Sequence, residues 1–150
     1  MTKIRNLHAS PEAVEHAFFD ALEHADIAAF MDLWSDDDEI ACVPPGGPRL
    51  VGHDKIRQVW RGILANGPIH VRTMQASVLQ GAMVSAHSMT VQLIFDRQGH
   101  SSVVHMDVSN IYFKGPLGWR LVLHHSSRMT EANATRETAP AANSSSNVLH

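Results

Sequence analysis

Apolar residues return every three or four positions along the first half of the chain and every two along the second, so helices are predicted to come first and strands after them. Ser10, Pro11 and Glu12 open the first helix: a side-chain acceptor at the cap, a proline whose missing N–H costs nothing there, and an acid near the positive helix end. Val14, Phe18, Ala21, Leu22 and Ala25 then form one apolar face. Asp26 caps a second, shorter helix with Ile27, Phe30, Met31 and Trp34 on one side. A third follows Gly52, carries Ile56, Val59, Trp60, Ile63 and Leu64, and stops at Asn66-Gly67-Pro68. Between the second and third, residues 39–43 and 49–51 read as two short strands around the stiff Pro44-Pro45-Gly46-Gly47-Pro48 turn. Beyond residue 68, four long strands are predicted at about 69–80, 83–95, 102–113 and 118–126, joined by turns too short for anything but antiparallel neighbours.

Alternation assigns faces. In the third long strand Val104, Met106, Val108, Asn110 and Tyr112 fall together and read as inward, with His105, Asp107 and Ser109 outward. In the second, Met83, Ser85, His87, Met89, Val91, Leu93 and Phe95 form the more apolar set. In the fourth, strict alternation puts His125 with Trp119, Leu121 and Leu123, and His124 on the other side. Three helices on one face of a strongly curved, mostly antiparallel sheet give an α+β fold with a pocket between the layers. His125 is the first candidate for chemistry there, because an imidazole exchanges a proton near neutral pH. Asn110 and Tyr112 are the candidate helpers, as an orienting amide and a hydroxyl donor. Trp34, Trp60, His87, Met106, Val108 and Ser127 are candidate ligand-lining residues. Each has a structural alternative: His125 closing a strand end against Ser127, Asn110 bridging strands, His87 satisfied in the core, the large apolar side chains simply packed.

Composition narrows the partners. A length of 150 residues suits one domain, expected over residues 1–129, with a small, polar tail at 130–150 that has little to bury. A net charge of -3 with 18% charged residues offers no basic stripe, which argues against nucleic acid and anionic membranes. A lone Cys42, no signal-like apolar run after the N-terminus and no stretch of membrane-spanning length make a cytoplasmic location the expectation. The eleven histidines show no spacing typical of a metal site, Asp36-Asp37-Asp38-Glu39 reads as a solvated turn, and no phosphate or dinucleotide motif is present, so no metal or cofactor is expected. Asp107, the carboxylate that alternation would offer as an isomerase-type base, falls on the face away from the helices.

The run 33–38 leading to Cys42-Val43-Pro44-Pro45-Gly46-Gly47, the helix with Ile56 and Trp60, and Asn110 followed by Gly118-Trp119-Arg120-Leu121-Val122-Leu123-His124-His125-Ser126-Ser127 together resemble the SnoaL-like branch of the nuclear transport factor two-like superfamily. The resemblance covers roughly residues 11–127 and implies the cone-shaped α+β fold that also carries ketosteroid isomerase, and a homodimer formed through the sheet. That fold hosts isomerases, cyclases, hydratase-type enzymes and noncatalytic domains. Two functions follow. One is a small-molecule pocket, for an apolar ligand with a hydroxyl or carbonyl group, in which His125, Asn110 and Tyr112 handle a proton. The other is a noncatalytic binding or dimerisation module using the outer sheet face with Thr90, Gln92, Ser109 and Ile111.

Overall fold

Ser10 does what its position predicts: its Oγ accepts from the Ala13 N–H at 3.0 Å and starts α1, Pro11–Glu23. Asp26 likewise accepts from Ala29 N–H at 3.0 Å and starts the short α2, Ile27–Met31. The computed structural model describes residues 6–130, so the expected 130–150 tail lies outside the described residues from 131 onward. After α2 come β1 (Ala41–Val43), β2 (Leu50–Val51), α3 (His53–Leu64), β3 (His70–Gln80), β4 (Val84–Arg97), β5 (His100–Gly115) and β6 (Gly118–Arg128). Among the described residues no helix is long and apolar enough to cross a membrane.

The six strands form one sheet in the order β2-β1-β6-β5-β4-β3, antiparallel throughout except for the parallel pairing of β1 with β6. The helices cover one face of this curved sheet, and the main core lies between them. Phe18, Phe30, Trp34, Ile56, Trp60, Tyr112 and Leu121 are all buried in it. A smaller cluster of Met89, Val91, Met106 and Val108 continues it along β4 and β5. Trp34 differs from its predicted place. It lies beyond α2, where residues 33–35 run beside β6: Leu121 N–H donates to Leu33 O at 2.8 Å and Ser35 N–H to Leu121 O at 2.9 Å.

Strict alternation fails in β6. Tyr112 of β5 faces Leu121, but Ile111 faces Leu123, so Val122 is an extra residue with no partner in the pair. A bulge of this kind reverses which side chains point inward beyond it. Trp119 and Leu121 are buried before the bulge; His124 and Ser126 are buried after it. His125 and Ser127, predicted to face the pocket, are exposed and sit opposite Ser109 and Asp107 on the outer face. Met83 also departs from its predicted buried set, because at 58% exposed it precedes β4 and is not covered by the helices.

β6 begins under a close constraint. Gly118 has φ +108°, and a Cβ there would lie 2.6 Å from His8 O. The same His8 carbonyl accepts from Trp119 N–H at 2.9 Å, so the N-terminal segment is fastened to the strand. Gly118→Ala is therefore expected to lower unfolding free energy by about 2 kcal/mol or more, from left-handed strain plus overlap. Urea unfolding of the variant beside the parent measures it, and a loss under about 0.5 kcal/mol would show that the turn accommodates a side chain.

Candidate functional site

Phe18, Phe19, Trp60 and His124 line one side of a cavity, and Phe30 packs against Phe18 and Trp60 without lining it. Phe18 of α1 lies 5.1 Å from Phe30, Phe30 stacks on Trp60 of α3 at 4.6 Å, and the imidazole of His124 sits 5.0 Å from Phe18 and 5.8 Å from Trp60. Phe19 of α1 stands edge-on to Phe18. Val91, Leu93, Met106 and Val108 of β4 and β5 form the opposite side, and Pro44 and Pro45 of the turn after β1 close one end. The space enclosed is about 280 Å³, just below the usual range for ligand sites, so it suits a small molecule. Apart from His124 and Ser126, both delivered by the bulge, its side walls are hydrocarbon and aromatic.

His124 is the inner end of a buried hydrogen-bond chain. Its Nδ1 lies 2.6 Å from Asn110 Oδ1. Asn110 Nδ2 donates to the Tyr112 hydroxyl at 3.1 Å, and that hydroxyl donates to Glu15 Oε1 at 3.3 Å. Glu15 Oε1 also receives His87 Nδ1 at 2.7 Å. His87 Nε2 lies 3.1 Å from Ser85 Oγ, whose proton goes on to Gln80 Oε1 at 2.9 Å. An amide oxygen can only accept, so the His124 proton sits on Nδ1, and Nε2 makes no hydrogen bond among the described residues. The Glu15 carboxylate and the Ser85 hydroxyl are thus the two hydrogen-bond partners of the His87 ring.

Burial sets the protonation states. It pulls the pKa of His124 from 6.5 down to about 3, with a smaller push in the same direction from His125, so the ring is neutral in ordinary buffers. Burial, and next the Glu15 charge, push the Tyr112 hydroxyl well above its usual range, which keeps it a donor. Burial likewise raises the Cys42 thiol to about 11, against the opposing hydrogen bond from Trp60 Nε1 at 3.2 Å, so it is no nucleophile at neutral pH. Among the described residues no three His, Cys, Asp or Glu side chains converge as a metal site would require.

The predicted candidates thus separate. Trp60, Met106 and Val108 line the cavity. Asn110, Tyr112 and His87 are buried beside it in the polar chain, and Trp34 packs on Phe30 at 6.2 Å without lining it. His125 and Ser127 lie on the far side of the sheet. His124, Ser126 and Glu15 complete the site. Glu15 carried a visible signal: with Pro11, Phe18 and Leu22 it occupies the apolar stripe of α1 at steps of four, three and four, where a charge demands a partner.

Comparison with known proteins agrees with this architecture. The SnoaL-like domain family model matches residues 12–131. A search of curated proteins gives no match. Among solved structures, a protein from Thiobacillus denitrificans provisionally named a calcium/calmodulin-dependent protein kinase type II association domain superposes with a TM-score of 0.73 at 27% identity, over 81% of this chain and 97% of that one. A provisionally named dehydratase of the NTF2-like family from Streptomyces avermitilis gives 0.71 at 23% identity, over 79% and 93%. A ketosteroid isomerase-like protein from Erwinia carotovora atroseptica gives 0.66 at 18%, over 85% and 99%; at such identities the last two show the fold alone.

The depressed pKa of His124 has a measurable sign. Between about 3 and 6.5 the unfolded chain binds a proton there that the native chain refuses, so this residue's contribution is complete above about 6.5 and is lost as pH falls toward 3. Its share of the slope approaches about 1.4 kcal/mol per pH unit in the middle of that window. Urea unfolding from pH 7 to 4.5 is expected to show a shallower decline for His124→Gln than for the parent. Equal slopes would mean that the ring protonates as freely folded as unfolded.

Proposed function

Since the chain belongs to the SnoaL-like domain family, we propose that it uses the cavity between helices and sheet to bind a small, largely apolar molecule held at one end by His124. The observation that carries this reading is the pairing of an apolar chamber with a single neutral imidazole that has Nε2 uncommitted. Apolar walls supply affinity by area, roughly 25 cal/mol per Å² buried, and one polar contact orients the ligand. Proton-transfer chemistry on the ligand would fall to His124, which at a pKa of about 3 is a feeble base at neutral pH. Holding the ligand is therefore favoured over isomerising or dehydrating it.

The test is a thermal-shift series with menthol, menthone, borneol and camphor. A ligand at a hundred times its Kd stabilises the fold by about 2.7 kcal/mol, a plain rise in midpoint. Val108→Trp, which fills the chamber from β5, is expected to abolish the rise while leaving the protein folded. No shift with any of the four in the parent, or an undiminished shift in Val108→Trp, would count against the cavity as the site.

We also propose a homodimer through the outer sheet face. Leu79, Val84 and Phe113 lie there in adjacent cross-strand rows at 75%, 44% and 50% exposure, an apolar set that a second copy would cover. Thr90, on the same face, has a buried Oγ1 with no partner among the described residues. Sedimentation should give a dimer, and Phe113→Asp should shift it to monomer; a parent that sediments as a monomer at tens of micromolar removes this reading.

A further inference from the structure

We infer that Glu15, acting through Tyr112 and Asn110, fixes the tautomer of His124 and so makes the cavity selective for ligands that donate a hydrogen bond, hydroxyls rather than carbonyls. The chain of acceptors and donors has one consistent direction, and its origin is the carboxylate. Glu15 Oε1 accepts and cannot give, so the Tyr112 proton must point at it across 3.3 Å. The oxygen of Tyr112 is then an acceptor for Asn110 Nδ2 at 3.1 Å. That contact sets the amide, leaving Oδ1 toward His124 at 2.6 Å, where it takes the Nδ1 proton. What reaches the cavity is a bare Nε2 lone pair, which welcomes an O–H and repels a carbonyl oxygen.

Reversing any step costs a buried clash. An Asn110 amide turned over would set Nδ2 against the Nδ1 proton of His124, and the ring would have to move its proton to Nε2 to recover the bond. Its Oδ1 would then face the Tyr112 oxygen, calling the hydroxyl proton away from Glu15. Asn110 and Tyr112 are fully buried, so no solvent can rescue an unpaired group among them. His87, donating to the same Glu15 oxygen at 2.7 Å, keeps that atom an acceptor. Glu15 and Tyr112 are positioning residues here: neither lines the cavity.

Long-range nitrogen–proton correlation spectra distinguish bare from protonated ring nitrogens, and subtraction of a His124→Gln spectrum identifies the His124 signals among the other histidines. In the ligand-free parent His124 is expected to be protonated at Nδ1, the tautomer that is the minor one in water. Glu15→Leu, which deletes the acceptor, and Tyr112→Phe, which removes a single oxygen, should each bring up the Nε2–H form; Glu23→Gln, an exposed carboxylate on the same helix, should not. Menthol should bind the parent roughly tenfold more tightly than menthone, and Glu15→Leu should erase that preference. An Nε2–H ring in the parent, or an Nδ1–H ring that persists in both variants, overturns the inference. The ligand preference rests on the binding function proposed above, but the tautomer does not: the expected spectra with no binding of any of the four compounds would count against that function and leave the chain of hydrogen bonds standing.

Discussion

The site depends on one residue too many in β6. That strand is pinned on both sides, antiparallel to β5 and parallel to β1, while residues 33–35 lie against its first half. Leu121 is held to Leu33 and paired with Tyr112, and Leu123 is held between Ala41 and Ile111, so the strand must place a spare residue between them. Val122 is that residue. Every side chain after it exchanges faces, and an imidazole enters the core at the depth where Asn110 can meet it.

Once His124 is inside, the rest of the polar interior follows from pairing. A buried donor or acceptor left alone costs about 1–3 kcal/mol, so each group recruits the next until the line reaches Glu15, a carboxylate on α1 that is largely covered but, at 19% exposure, still in touch with water. The charge stays near the edge while neutral groups occupy the centre. The aromatic cluster of Phe18, Phe30 and Trp60 gives the same histidine a dry environment, which is why its basicity falls. Polar order and apolar packing are thus two consequences of one placement.

Much of this was legible in the residues. Helical and two-residue periods place all three helices and the four long strands, and the inward set Met106, Val108, Asn110 and Tyr112 follows from alternation because β5 runs without interruption through that stretch. What alternation cannot show is a register imposed by two different neighbours, so His125 and Ser127 take the inward positions in a regular strand and lose them in the real one. Trp34 reads as a fourth member of a helical stripe, yet α2 ends at Met31 and Trp34 joins β6 instead. Glu15 was readable but unremarkable: a charge inside an apolar stripe signals a partner without naming it, and its partners lie 72 and 97 residues away.

The doublet His124-His125 makes the strand end tolerant of slippage. The two imidazoles stand on opposite sides of one sheet, with the spare Val122 upstream of both. Without Val122, Leu123 would follow Leu121 directly and still face Ile111, so His124 would stay inside on a strand of regular alternation. A slip of β6 by one residue against β5 would instead set His125 opposite Asn110, and the interior would again receive an imidazole.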